Sequence, residues 1–480
     1  MHIVDLTVFI VYMLGLLGMG FYFLRKNKTT EDFFVSGRNM SSWHIGLSVV
    51  ATDVGGGFSI GLGGLGFMMG LSGSWMLFTG LIGAWVSAVL LIPKVYQLGR
   101  DSKLTTFPQL FEHYYNGKVA LMAGIISAIG YLGFTGSQIL AGAKLASSSF
   151  VGLDIQTALL VMGIVTILYT VMGGMTAVIY TDTVQWIVLI LGLSLIGIPL
   201  SYHAVGGWNE ISKTVHPDFM SLTNVSWQML VKWAVTIIPI WFVGMTLYQR
   251  IYASKSEKGA KKAWFIAGLF EWPVMAFMGV VLGMFARVAA DQGMFTELGY
   301  ASSEGMDVEL GLPLLLREVL PIGLMGVMLS VYFSAILSTA DSCLMASSGN
   351  LLTDILQKFF PQLENHSHVL RITQLLTLFM GVFAILLASS MENVLDLMLY
   401  AYGFMVSGLL VPLVAGMFFK LKNSIAALCS MIAGGTTTVV LAYNKIALPF
   451  DLDANIFGIT ASLFVFILVS ILTKNVKTTT

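Results

Sequence analysis

Four small or polar residues in one apolar stretch could form half of a cation site. Ala335, Ser338, Thr339 and Ser342 recur at spacings of three and four, which places them on one face of an α-helix. The small side chain of Ala335 leaves its carbonyl accessible, and the three hydroxyls add further oxygens. Oxygen ligands suit a hard cation, so the pattern favours sodium. Such hydroxyls also bond to the preceding turn or link membrane helices, and this alternative stays open.

The second half of such a site is predicted where another apolar stretch is interrupted. Asp53 is followed by three consecutive glycines at 55–57, each of which costs roughly 1 kcal/mol relative to alanine inside a helix. A break here would free the carbonyls of Ala51 and Val54 to complete the sodium ligands. The alternative is that the glycines only allow close helix packing.

The composition predicts that these stretches lie in a membrane. Hydrophobic residues make up 56% of the 480-residue chain, charged residues make up 10%, and the mean hydropathy is +0.84. One soluble core could not bury so much apolar surface. The formal net charge of zero gives no sign of a nucleic-acid partner. Both cysteines lie in apolar stretches and are interpreted as packing residues.

Apolar runs of about 20 residues predict about 13 transmembrane helices. They span residues 6–24, 42–70, 74–95, 119–149, 156–174, 177–201, 228–249, 264–288, 319–353, 369–389, 394–418, 424–443 and 455–473. With the N-terminus outside, 19 of the 25 Lys and Arg residues fall on the cytoplasmic side, as the positive-inside rule requires. We therefore predict a multi-pass protein of the cytoplasmic (inner) membrane with a cytoplasmic C-terminus.

A second weakened helix predicts an internal repeat. Pro239 and Gly244 lie within the span 228–249 and weaken its middle. Residues 42–201 and 228–418 would then be five-helix units of opposite orientation, each opening with an interrupted helix. The predicted fold is an all-α membrane protein with a five-plus-five inverted repeat, an extra N-terminal helix and two C-terminal helices. Residues 1–480 form one transmembrane domain.

Five strings in the right order resemble the sodium:solute symporter family, with features of its proline-transporter and choline-transporter branches. They are EDFFVSGR at 31–38, ATD at 51–53, GGMTAVIYTDTVQ at 173–185, YQR with ASKS at 248–256, and AILSTADS at 335–342. The resemblance implies a leucine-transporter-like fold and a sodium site with five ligands. These are Ala51, Val54, Ala335, Ser338 and Thr339, which the glycine break and the helical spacing also suggest.

The resemblance also implies roles for further residues. Asp182 matches an acid that forms a second sodium site or an ion exit path, with Thr181 and Ser342 nearby. Asp53 matches an acid beside the sodium and substrate sites. The glycine break, the aromatic residues and an otherwise unassigned polar residue of span 119–149 complete the expected substrate set, which is Asp53, Gly55, Gly56, Phe78, Gln138, Trp241 and Tyr248.

The expected function is sodium-coupled import of a small organic solute by alternating access. Proton coupling through Asp53 or Asp182 is the main alternative, and a transporter-derived nutrient sensor is a weaker one. An enzyme is not expected, because the seven histidines are scattered and form no catalytic constellation. No cofactor is expected beyond sodium as coupling ion. The expected partners are the solute, sodium and membrane lipid, and a monomer would suffice.

Overall fold

The computed structural model describes residues 2–26, 34–150, 152–363, 368–444 and 446–474. Across these ranges the regular elements are helices, and no β-strand occurs. The α-helices are Ile3–Lys26 (α1), Ser42–Gly56 (α2), Gly63–Met69 (α3), Trp75–Leu90 (α4), Ile92–Asp101 (α5), Gln109–Tyr114 (α6), Gly117–Ser149 (α7), Ile155–Gly192 (α8), Ile198–Ala204 (α9), Gly207–Thr214 (α10), Trp227–Val243 (α11), Met245–Ala253 (α12), Glu257–Leu269 (α13), Ala276–Asp291 (α14), Gly311–Val319 (α15), Leu324–Gly349 (α16), Gln357–Phe359 (α17), Val369–Ser389 (α18), Val394–Met417 (α19), Ser424–Tyr443 (α20) and Ala454–Lys474 (α21). Wider π-helical turns occur at Gly57–Leu62, Leu193–Gly197, Phe270–Met275 and Asn350–Leu356.

The described part of the chain holds 11 helices that are long and apolar enough to span a membrane, or 12 if α11 and α12 form one bent span. The predicted all-helical membrane class is therefore confirmed, whereas the number 13 stays a prediction. The difference arises at 42–95, where Ile60–Leu90 counts as one continuous stretch. Gly70 within it has φ 68°, so the helix does not run straight from α3 into α4.

The long element α8 is also bent. Tyr169 Oη and Thr181 Oγ1 lie 3.3 Å apart although 12 residues separate them. A straight α-helix would rise about 18 Å over that distance, which is farther than the two side chains can reach. The chain therefore bends between these residues, and Ile155–Met172 and Val178–Ala204 are separate candidate spans, as the sequence predicted.

Helix α16 lies at the centre of the molecule. Its candidate span Leu324–Phe359 is almost wholly buried inside the protein, whereas those of α1 and α21 are mostly exposed at the periphery. It packs against α2, α7, α8 and α18. Because a buried helix needs partners for its polar groups, the hydroxyls of α16 are positioned to meet polar atoms of those neighbours.

The second interruption predicted from the sequence is also confirmed. Helices α11 and α12 meet at an angle of 42°, and Gly244 between them has ψ 110°. Tyr131 of α7 supports the start of α12, because its hydroxyl accepts a hydrogen bond from the Thr246 backbone N–H at 3.2 Å. Both predicted repeat units thus begin with a broken helix, and the repeat itself stays a prediction.

Close glycine packing occurs just beyond the first break. A Cβ at Gly66 would lie 2.2 Å from the Val280 carbonyl oxygen, and one at Gly283 would lie 2.0 Å from the Gly63 carbonyl oxygen. Helices α3 and α14 therefore touch through their backbones, which only glycine allows. The two uses predicted for the glycines coexist, with unwinding at Gly55 and packing from Gly63 onward.

Candidate ion and solute site

The first break is located at Gly55. Its backbone has φ 38° and ψ −134° inside helix α2, a region that residues with a side chain rarely adopt. The carbonyls before this point lose their normal helical partners. Asp53 and Ala51 therefore lie in the last turn of a half-helix that ends inside the protein.

Two neighbouring helices hold the break in place. The Gly56 backbone N–H donates to Gln138 Oε1 of α7 at 2.6 Å. A Cβ on Gly55 would lie 2.3 Å from Thr339 Oγ1 and 2.7 Å from Gln138 Oε1. The absence of a side chain at Gly55 thus lets the unwound backbone contact α7 and α16 directly. Gln138, which the sequence associated with the substrate, is buried here and accepts the hydrogen bond of a backbone N–H at the break.

Three of the five predicted sodium ligands come together. Thr339 Oγ1 donates to the Ala51 carbonyl oxygen at 2.9 Å and lies 3.4 Å from the Ala335 carbonyl oxygen. A hydroxyl that bridges two carbonyls marks a point where three oxygens converge between α2 and α16. The fifth predicted ligand is the backbone carbonyl of Val54, and its place in the cluster stays a prediction.

The fourth predicted ligand, Ser338, faces a different group. Its hydroxyl donates to the Asp182 carboxylate, which also accepts a hydrogen bond from Ser48. Asp182 is buried, so its negative charge requires a partner. The hydroxyl of Ser338 therefore connects the carbonyl cluster around Thr339 to the carboxylate of Asp182.

Arg250 supplies the positive charge beside Asp182. Arg250 is among the basic residues that the charge pattern assigns to the cytoplasmic side, and its side chain is fully buried in the protein. Its guanidinium lies 3.5 Å from Asp182 Oδ2. It donates to Ser48 Oγ at 3.0 Å, to Ser342 Oγ at 3.0 Å and to the Thr52 hydroxyl. A buried ion pair is stable only when hydrogen-bond partners surround both charges. Residues of α2, α8, α12 and α16 form this network around Arg250 and Asp182.

The second group of predicted ion residues is brought together only in part. Ser342 meets Asp182 through Arg250. Thr181 instead donates to the Val178 carbonyl at 3.0 Å and faces Tyr169. Sequence reasoning missed Ser48, Thr52 and the buried Arg250 as members of this network. Their signal was weak, because hydroxyls in membrane helices are common and a basic residue near a span end normally reaches water.

The three aromatic residues expected near the substrate each pack against a different set of neighbours. Trp241 is fully buried at the end of α11, and a Cβ on Gly83 would lie 2.3 Å from its ring. Phe78 packs edge-to-face on Trp75 and Trp272. Tyr248 donates to the Phe242 carbonyl at 2.6 Å and stacks on Phe107. The structure does not bring these three rings into one contacting group, and their substrate roles stay predictions.

A carboxylate without an assigned role lies beside the first break. Glu271 is fully buried in a third interrupted helix, where Trp272 has non-helical φ −138° and ψ 125°. Its carboxyl interacts directly with that of Asp53. The signal in the sequence was an acid two residues before Pro273 within a span, and an ionisable residue in a membrane helix is a functional candidate by default.

Buried breaks, converging oxygens and paired charges at the centre of a helical membrane protein define a transporter. The sequence model described as Sodium:solute symporter family matches residues 33–434, and the chain belongs to this family. It is 27% identical to the osmoregulated proline transporter OpuE of Bacillus subtilis, over 97% of this chain and 94% of that protein. It is 28% identical to the sodium/proline symporter of Escherichia coli, over 91% and 87%.

A solved structure shows the same fold. The substrate-bound, outward-open structure of a Na⁺-coupled sialic acid symporter superposes with a TM-score of 0.78 and covers 98% of both chains, at 21% identity. The expected leucine-transporter-like fold is thereby confirmed. The expected class, a sodium-coupled symporter of a small solute, is also confirmed by the family and its members.

Proposed function

We propose that this protein imports a small organic solute by coupling it to sodium bound between α2 and α16. The observation that carries the site is the Thr339 hydroxyl, which contacts the carbonyl oxygens of Ala51 and Ala335. Sodium would take the place of the hydrogen bond between Thr339 and the Ala51 carbonyl, and the neutral hydroxyl would bind the ion through its oxygen. Ser338 and the Val54 carbonyl would complete the ligand set. The ion would thus join the broken helix to the central helix.

Coupling follows from the position of the site at the break. The oxygens of Ala51 and Thr339 come from different helices, so the site exists only while α2 and α16 are in contact. A ligand shifts a conformational equilibrium by its differential affinity for the two states. Sodium and a solute that both require this contact would therefore favour the same conformer. Separation of the helices on the cytoplasmic side would release both.

The network around Asp182 is proposed as the inward exit path. Arg250 already lies 3.5 Å from Asp182 and neutralises it, so a second resident sodium would add positive charge to a balanced pair. Ser338 belongs to the sodium site and bonds to Asp182. A departing ion would thus meet the carboxylate one step from the Thr339 oxygens.

The orientation and location are part of the same proposal. The protein would lie in the cytoplasmic membrane with the N-terminus outside, as the distribution of Lys and Arg supports. The membrane potential would then add about 2.3 kcal/mol per 100 mV for each positive charge carried inward. The described helices contribute every proposed ligand from one chain, so a monomer would suffice. The known relatives are transporters, which agrees with a non-enzymatic role.

The deciding experiment removes two hydroxyls from the sodium site. Ser338→Ala with Thr339→Ala should abolish stabilisation of the purified protein by sodium over potassium, and sodium-driven uptake into vesicles. Ser330→Ala is the matched control, because this buried hydroxyl of the same helix donates only to the Gly326 carbonyl among the described residues. Normal sodium dependence in the double variant would exclude the site.

Proton coupling is the second candidate, and the contact between Asp53 and Glu271 favours it. Two carboxyls at contact in a buried site can hold a proton between them. Uptake driven by a pH gradient in sodium-free vesicles would support this candidate. Uptake that needs sodium and ignores the pH gradient would reject it.

A further inference from the structure

One ion pair fastens the end of α7 to the start of α19, on the side of the membrane assigned to the outside. Lys144 Nζ lies 2.7 Å from Glu309 Oε2, and only 6% and 5% of the two side chains are exposed. Glu309 also accepts hydrogen bonds from the backbone N–H groups of Val394 at 3.0 Å and Leu395 at 3.1 Å. These residues begin α19, whose N-cap Asn393 provides no side-chain hydrogen bond. The carboxylate of Glu309 therefore caps α19 and connects it to α7.

The ion pair separates two cavities. Lys144 lines a cavity of about 860 Å³ between α7, the start of α8 and the segment that precedes α19. Glu309 lines a second cavity of about 200 Å³. Because the two side chains are in contact, the partition between the cavities is one ion pair thick at this point.

The smaller cavity lies beside both broken helices. Gly61 and Gly64, which follow the break at Gly55, line this cavity, and so does Trp233 of α11, which precedes the second break. The larger cavity reaches the exposed residue Glu392. Opening of the ion pair would therefore join a cavity that faces solvent to the cavity beside the broken helices.

Each charge of the pair has a second partner. Lys144 also lies 2.7 Å from Asp307 Oδ2, on a side chain that is 36% exposed. Glu309 keeps the two backbone donors of α19. A buried charge that loses its only partner is strongly unfavourable, and here neither charge would lose all its partners. The bond between Lys144 and Glu309 can therefore break and form again at a modest cost.

We propose that the Lys144–Glu309 ion pair is the outer gate of the solute pathway. The inference rests on the proposed function, since alternating access requires one side to close before the other opens. With the pair formed, α7 and α19 are held together and the two cavities are separate. With the pair broken, the outer end of α19 carries Glu309 away from α7 and the cavities join. Lys144 and Glu309 are thus positioning residues, and neither binds sodium or the solute.

Access to the smaller cavity tests the gate. Leu399 lines this cavity and is 6% exposed. Leu399→Cys would be labelled with a membrane-impermeant maleimide outside right-side-out vesicles, in a Cys429→Ser background because Cys343 is buried. Lys144→Met should increase the labelling rate at least about tenfold, since it removes a charge-assisted hydrogen bond that is present only in the closed state. Lys144→Arg keeps the charge and should label as slowly as the parent.

Two further variants separate opening of the gate from general loosening. Leu320 is 7% exposed on the same side of the membrane and lines neither cavity, so Leu320→Cys should label at one slow rate in every background. Glu309→Gln breaks the same pair while its amide oxygen can still accept from α19, and it should open the cavity as Lys144→Met does. Equal labelling of Leu399→Cys with and without the pair, or equal acceleration at Leu320→Cys, would overturn the inference.

Sodium binding is measured separately, so that the gate and the proposed function can fail independently. Stabilisation of the protein by sodium over potassium, together with unchanged labelling, would retain the sodium site and refute the gate. Faster labelling without any preference for sodium would support the gate and refute the sodium site.

Discussion

Replacing Gly55 by alanine should disrupt the sodium site specifically. The backbone at Gly55 has φ 38° and ψ −134°, so an alanine there is strained whatever the space. Its Cβ would also lie 2.3 Å from Thr339 Oγ1, closer than any real contact. Gln138 Oε1 would lie 2.7 Å from the same Cβ, so both neighbours would have to shift. A shift of Thr339 away from the Ala51 carbonyl separates the proposed ligands.

The size of the effect follows from two costs. A side chain in such a backbone region costs of order 1–3 kcal/mol, and overpacking of a tight contact costs about 1–3 kcal/mol. The backbone strain is present whether or not sodium is bound, whereas the overpacking returns only when Thr339 moves back to bind the ion. The apparent sodium affinity of Gly55→Ala should therefore fall by the overpacking cost alone, roughly 5- to 150-fold.

The assay is the sodium concentration needed to stabilise the purified protein, with potassium keeping the ionic strength constant. Gly61→Ala is the matched control from the same interrupted region. Its Cβ would lie 3.4 Å from the nearest atom of Leu395, an ordinary contact, and Gly61 has no positive φ. If Gly55→Ala requires no more sodium than Gly61→Ala does, the assignment of Thr339 to the ion site is refuted.

Three further predictions concern other parts of the chain. Lys144→Met should lower the melting temperature, because it leaves Glu309 buried without the ion pair at 2.7 Å, a loss of up to about 3–5 kcal/mol; an unchanged melting temperature contradicts this. Gly283→Ala should destabilise the protein by about 1–3 kcal/mol in thermal unfolding, since its Cβ would lie 2.0 Å from a backbone oxygen of α3, and tolerance would show that α3 and α14 can separate. The Thr157 backbone N–H and hydroxyl hold the pKa of Asp154, the N-cap of α8, below its usual value. Because the pKa is depressed on folding, the charge-dependent part of the destabilisation caused by Asp154→Ala should be present at neutral pH, begin to fall at the ordinary aspartate pKa and be lost as the pH passes below the depressed pKa; a destabilisation independent of pH contradicts it.

Local sequence determined where helices break and which residues share a face. Three successive glycines made the break at Gly55 predictable, and Gly244 marked the second one, because glycine is less favourable than alanine inside a helix. The three-and-four spacing put Ala335, Ser338 and Thr339 on one side of α16. These features depend on the nearest residues in the chain, and they needed no knowledge of the neighbouring helices.

Only the tertiary structure decided what each face meets. Ser338 bonds to Asp182, 156 residues away, and the buried Arg250 of α12 pairs with the same carboxylate. The pairing of Asp53 with Glu271 arises because two interrupted helices pack together. Spacing sets the direction of a side chain on its own helix, but its partner depends on contacts between distant segments. The charge of a buried site is the sum over all its helices, and it becomes known only once they are assembled.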